Sequence, residues 1–256
     1  MNLSNEESKK LNKEDDMKDE LTDLSHWESE WGDIESAEWD NGFLEFIPDM
    51  HTVLNNDKYR SILDNGTAIE IGCFPGRYMR YFSREFNMKV KGLDFMSYKE
   101  PSSKSDALDV TVADFNEFTT NDKFDLVCSF GFIEHFNDLK GVIEKHIDLA
   151  KSGGLIVISV PNYSVGWRSF IKRVVDRQLF VTHNKDAMKV EHLNSVLSLI
   201  PTKSASVQHI LFSQKLFNAT SMFRKVLGSL VRVCIKFVPW VDKGLSGEIL
   251  IVIEKK

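Results

Sequence analysis

The stretch Thr67-Ala-Ile-Glu-Ile-Gly-Cys-Phe-Pro-Gly-Arg-Tyr-Met79 decides the fold. Residues 67–71 form an apolar run interrupted by Glu70, as expected of a buried strand. Gly72 and Gly76 then bracket a turn. The following residues 76–87, GRYMRYFSREFN, have helical spacing, with Met79, Phe82 and Phe86 on one face. Strand, glycine turn and helix in that order make a ligand cradle. The glycines let backbone approach closely, and the helix start offers unpaired N–H groups. A glycine is expected at the middle of such a turn, but Phe74 stands there, stiffened by Pro75. The reading is that the Phe74 ring points away from the ligand.

The pattern repeats outward from this stretch. KVKGLDF (89–95), LDVTVADF (108–115), FDLVCSFG (124–131) and GLIVISVPN (154–162) read as strands. DLKGVIEKHIDLAKSGG (138–154) reads as a helix with a glycine stop. Further along, HLNSVLSLI reads as a helix, and SASVQHILF and GEILIVIE as strands. Alternation of strands and helices predicts an α/β fold with a doubly wound, mostly parallel sheet. In such sheets ligands bind at the carboxyl ends of the strands. Asp94 ends the second strand, where a carboxylate can accept both hydroxyls of a ribose. Asp114 and Phe115 follow the third, where an acid and an aromatic face suit an adenine.

Taken in order, AIEIGCFPGR, GLDFM, ADFNEF, FDLVCSFGFIEHF and AKSGGLIVISVPN resemble the class I S-adenosylmethionine-dependent methyltransferases. The FIEHF element and the SVPN strand end look most like the small-molecule and sugar methyltransferases. The resemblance implies a seven-stranded Rossmann-like methyltransferase fold with a helical insertion after the fifth strand. Its cofactor would be S-adenosyl-L-methionine, with Glu70, Gly72, Cys73 and Gly76 lining the methionine part. Asp94 would hold the ribose, with Phe95 or Met96 against the adenine. Asp114 and Phe115 would bind the adenine edge and face, and Phe130 and Gly131 would lie beside the transferred methyl. A nicotinamide-binding fold fits less well, because no YxxxK stretch occurs.

Methyl transfer to oxygen needs a proton acceptor, and histidine suits that at neutral pH. His135 follows the fourth strand and is the favoured base. His183 lies in the insertion, and Glu134 could orient the acceptor or the cofactor's amino group. No close cluster of metal-ligating residues is evident along the chain, so metal independence is expected.

The domain reading is a flexible acidic arm over residues 1–24, an aromatic lid segment over 25–50 with Trp27, Trp31 and Trp39, and a methyltransferase domain over 51–256. Within that domain, 67–162 forms the cofactor core and 163–243 the acceptor cap. The chain has 256 residues and a net charge of −6, unevenly spread. Residues 1–45 hold 15 acidic against 4 basic side chains, whereas residues 163–256 hold 15 basic against 6 acidic. Trp167, Arg168, Lys172, Arg173 and Arg177 beside the cleft would suit a phosphorylated, nucleotide-linked or lipid-linked sugar. The stretch 215–243, both basic and apolar, suits peripheral membrane contact. A pI near 5.7 disfavours nucleic acid. Three scattered cysteines without a CxxC pair argue against a disulfide framework. With no secretory pattern, they suggest a cytoplasmic chain. A non-catalytic cofactor-binding module is the alternative from outside the enzymes, and Phe74 is its only hint.

Overall fold

The computed structural model describes residues 20–23, 25–27, 47–96, 107–162, 182–211 and 246–256. The expectations for Trp31, Trp39, the basic set from Trp167 to Arg177 and the 215–243 stretch lie outside these residues.

Two helices lead in, α1 (Ile47–Leu54) and α2 (Asp57–Leu63). The second is capped by Asn56, whose side chain accepts from the Tyr59 N–H at 3.0 Å. The alternating core follows: β1 (Thr67–Ile71), α3 (Arg77–Phe86), β2 (Lys89–Asp94), β3 (Asp109–Val112) and β4 (Phe124–Phe130). A short 3₁₀ turn (Ile133–His135) leads to α4 (Leu139–Leu149) and β5 (Ala150–Pro161). The described elements end with α5 (Val190–Ser198), β6 (Ser204–Leu211) and β7 (Ser246–Glu254).

The seven strands form one sheet in the order β3-β2-β1-β4-β5-β7-β6. All neighbours from β3 to β5 are parallel, whereas β7 runs antiparallel to both β5 and β6. The strand order reverses between β1 and β4, which places the ligand crevice at their carboxyl ends.

Side-chain alternation divides the core into two layers. Ile69, Val127, Ile156, Ile158 and Ile251 pack on the side of α4 and α5. Ala68, Leu126, Cys128, Leu155, Val157 and Leu250 pack on the side of α1 to α3 with Phe82 and Phe86. Both faces are covered, which is why these strands read as continuous apolar runs.

Two expectations need correcting. The 138–154 helix does not run to a glycine stop. It ends at Leu149, because Ala150 already pairs with Phe124 in the sheet. The acidic arm is not free over its last residues either. Glu20 forms an antiparallel bridge with Phe136, and the Leu21 N–H donates to the His135 carbonyl at 2.7 Å.

Candidate cofactor and acceptor site

A cavity opens at the carboxyl ends of β1, β2 and β4, where the reversal of strand order predicts it. Of the residues named from the sequence, Gly72, Asp94, Phe95, Met96, Asp114, Phe115, Phe130 and Gly131 line it. Glu70, Cys73 and Gly76 do not. They lie in and under the turn that forms one wall.

The turn owes its shape to two residues. Gly72 sits at φ +66°, and a Cβ there would lie 2.7 Å from the Phe132 ring. Any side chain would therefore both strain the backbone and collide with the cavity wall. Asp94 is the second. Its Oδ2 accepts from the Phe74 N–H at 2.8 Å and its Oδ1 from the Met96 N–H at 2.9 Å. The carboxylate thus ties the β1 turn to the end of β2. The Phe95 N–H also bonds this carboxylate, and of its roughly four lone-pair sites acceptor capacity is left for a ligand hydroxyl. Burial raises the Asp94 pKa, and these backbone bonds oppose the shift.

Glu70 is 2% exposed, and one of its oxygens has no hydrogen-bond partner among the described residues. Burial pushes its pKa well up, while a bond from the Met79 N–H pulls the other way. Phe74 lines the cavity, so the turn does not carry it clear of the ligand space as expected. The Phe74–Pro75 peptide bond is cis.

The opposite wall is aromatic. Phe115 and Phe132 meet edge to face with centroids 5.4 Å apart, and Phe130 stacks on Tyr78 at 3.8 Å. The loop after β3 is held by Asp114, whose Oδ1 accepts from the Asn116 N–H at 2.7 Å. Lys145 of α4 donates to the carbonyls of Phe115 and Asn116. Below the rings lies the fully buried His146, 5.2 Å from Phe115.

The sequence reading missed Glu20, Ile71, Leu93, Ala113 and Phe132, which also line the cavity, as does Trp27, named there only within the aromatic segment. Glu20 and Trp27 reach it because the bridge to Phe136 pulls the N-terminal strand across. Asn116 donates to the Glu20 carboxylate at 2.6 Å, and Trp27 packs edge-on against His135 at 4.8 Å. Of the aromatic segment named from the sequence, Trp27 lines the cavity.

The three residues named for catalysis do not line the cavity. Glu134, His135 and His183 stand together beside it, behind Trp27 and Gly131. Burial raises the Glu134 pKa to about 8 and lowers that of His135 to about 3. At neutral pH the imidazole of His135 is therefore uncharged.

Comparisons agree with this architecture. A family model described as "Methyltransferase domain" matches residues 45–206. The ubiquinone biosynthesis O-methyltransferase of Rhodopseudomonas palustris (strain TIE-1) is 26% identical over 169 residues, covering 59% of this chain and 66% of the relative. The protein of that name from Bradyrhizobium sp. (strain ORS 278) is 26% identical over 126 residues, covering 47% of this chain and 49% of the relative. The chain thus spans less than two thirds of the length of these curated relatives.

Among solved structures, phosphoethanolamine N-methyltransferase 2 of Haemonchus contortus, in complex with S-adenosyl-L-methionine, superposes with a TM-score of 0.53 at 16% identity. The match covers 88% of this chain and 60% of that one. The plantazolicin methyltransferase BpumL, in complex with a pentazolic analog and SAH, gives 0.52 at 12% identity, covering 86% and 90%. At these identities the likeness is one of fold. The match over residues 45–206 takes in the glycine turn, the Asp94 strand end and the aromatic wall, and the chain belongs to the methyltransferase domain family.

Proposed function

We propose that the chain is an S-adenosylmethionine-dependent methyltransferase that acts on the oxygen of a small, ring-bearing acceptor. One observation carries the cofactor half. A buried carboxylate pair, Glu70 and Asp94, brackets a glycine turn that no larger residue could form. The chemistry of these donors fits the cofactor. Asp94 retains acceptor capacity for ribose hydroxyls. The unmet oxygen of Glu70 lies under the turn that would face the amino-acid end. Phe115 offers a face to adenine, and Asp114 an acceptor to its amino group. The neighbours solved with this cofactor or with SAH share the fold.

S-adenosylmethionine supplies an activated methyl group on a sulfonium. The protein then has to align the acceptor oxygen with that methyl and exclude water. Phe130, Gly131 and Phe132 would form the wall beside it, and Trp27 would close the other side. Among the described residues, the titratable side chains lining the cavity are Glu20, Asp94 and Asp114. His135 would therefore have to take a proton from behind Trp27.

The curated relatives are named O-methyltransferases, which supports an oxygen acceptor. Aromatic rings suit the flat face of a phenolic ring and the apolar face of a sugar alike. The sugar reading rests on basic residues outside the described segments, and the phenolic one on the wall itself. The test is formation of S-adenosylhomocysteine from labelled cofactor with a catechol or a nucleotide-linked sugar. Turnover with either class identifies the acceptor. Tight cofactor binding without turnover on any acceptor pool would favour the non-catalytic module. Failure to bind S-adenosylhomocysteine in calorimetry would sink the reading.

A further inference from the structure

Three side chains beside the cavity converge for a reason that methyl transfer alone does not supply. Glu134 and His135 are consecutive in the 3₁₀ turn after β4, and His183 arrives with the segment that follows β5. That segment is tied down on both sides of the turn. The Asn184 N–H donates to the Glu134 carbonyl at 2.6 Å, and the Asn184 side chain donates to the Phe136 carbonyl at 2.8 Å. As a result Glu134, His135 and His183 each bring one donor atom within 4.8 Å of the other two.

The chemistry of each group points the same way. Glu134 is 1% exposed, and its Oε2 has no hydrogen-bond partner among the described residues. A buried carboxylate oxygen left unmet is costly unless a cation or a proton comes to it. His135 Nδ1 lies 2.8 Å from the Thr182 carbonyl oxygen. A carbonyl only accepts, so Nδ1 carries the hydrogen and Nε2 presents a lone pair. An imidazole whose second nitrogen donates to a backbone carbonyl is oriented in the way metal-binding histidines usually are. The His183 ring stands 4.5 Å from that of His135.

We propose that Glu134, His135 and His183 bind one divalent transition-metal ion, with zinc the first choice. Two imidazoles and a carboxylate are a borderline-soft donor set that suits zinc or its first-row neighbours better than magnesium or calcium. Zinc bonds of about 2.0–2.2 Å require donors roughly 3.4 Å apart. The three donors, now within 4.8 Å of one another, would have to close by about an ångström to reach this. Three protein ligands leave a fourth position open, as in catalytic zinc sites. A Cβ built on Gly131, which lines the cavity, would lie 3.6 Å from Glu134 Oε1. The ion would therefore stand against the cavity wall, able to hold an acceptor oxygen. That last consequence rests on the methyl-transfer reading, whereas binding of the ion does not.

The test uses the full chain, stripped with a chelator and freed of any affinity tag. After equilibration with zinc and desalting, mass spectrometry should find about one zinc per chain. Competition against a chromophoric chelator then gives the affinity, and cobalt loading should give visible d–d absorption. Glu134→Gln and His183→Ala should each weaken zinc binding at least about tenfold, as ligand losses do. If Glu134→Gln does not fold, His183→Gln with a far-ultraviolet spectrum like the wild type takes its place. The proposal is overturned if the folded wild type retains no zinc, or if the folded variants bind it as tightly. S-adenosylhomocysteine calorimetry on the same samples keeps the readings separate. Lost metal with intact cofactor binding rejects only the metal site, and the converse rejects only the transferase.

Discussion

Acid should loosen the support of the aromatic wall through a single histidine. His146 is fully buried in α4, with Nδ1 2.7 Å from the Val142 carbonyl and Nε2 3.1 Å from the Ser129 hydroxyl. The carbonyl can only accept, so Nδ1 carries the hydrogen and Nε2 accepts from Ser129. This arrangement holds the neutral ring. Burial lowers the His146 pKa to about 4, partly opposed by the Val142 bond. In the unfolded chain it returns to about 6.5. The folded pKa is the lower one, so the unfolded state binds the extra proton. Stability is therefore complete above about pH 6.5 and is lost as pH falls toward 4. The whole linkage is worth roughly 3 kcal/mol, of which about 2 kcal/mol is gone by pH 5.

The variant that isolates this contribution is His146→Leu combined with Ser129→Ala, which removes both polar partners so that neither is left buried and unmet. Urea unfolding of both proteins at about pH 7.5 and pH 5 gives the stability that each loses on acidification. The wild type should lose about 2 kcal/mol more than the double variant. Other titrating groups are common to both and cancel in the comparison. If the two proteins lose the same stability to within about 0.5 kcal/mol, the neutral assignment of His146 is wrong.

Other perturbations probe the turn and the sheet edge. Asp94→Ala removes a carboxylate that holds two backbone N–H groups, and should weaken S-adenosylhomocysteine binding by roughly 1.5–3 kcal/mol in calorimetry. Unchanged affinity would remove Asp94 from the cofactor site. Gly72→Ala should cut that affinity at least about tenfold and lower stability by about 1 kcal/mol, from its positive φ and the Phe132 clash. Glu254 is paired with Lys58 at 2.6 Å and with Lys203 at 2.5 Å, which hold its pKa at about 2. Its folded pKa is depressed, so the pair stabilises above about pH 4.3 and fades toward pH 2. Both lysines are exposed, so Glu254→Gln should cost only about 0.2–1 kcal/mol at neutral pH, with a correspondingly flatter acid limb in thermal melts.

The half of the cavity built by strand ends was legible in the sequence because its constraints are local. Gly72 comes one residue after β1, Asp94 closes β2, and Phe130 and Gly131 end β4. Continuous apolar runs marked the buried strands, and the strand ends fixed where those residues stand. Phe74 was misjudged because turn conformation, rather than burial periodicity, sets where a loop ring goes. Glu20 was invisible for another reason. Nothing in the charge-dense arm signals a bridge to Phe136, which depends on an edge that exists only once the fold has formed.

The Glu134–His135–His183 cluster escaped notice by the same mechanism. Read singly, His135 was a base, His183 a loop residue and Glu134 an orienting group. Bonds from Asn184 to the 134–136 turn and from His135 to the Thr182 carbonyl make them neighbours by joining that turn to the segment that carries His183. Chemistry assembled by one strand end can thus be read from spacing, whereas chemistry assembled by two loops needs the contact between them. On the proposed function the cofactor would rest on the first kind of residue. On the same proposal the acceptor would meet the second kind, Trp27 on the cavity wall and the loop that carries His183 beside it. On that reading, a change at Trp27 or in the loop that carries His183 would alter acceptor choice and leave the cofactor turn intact.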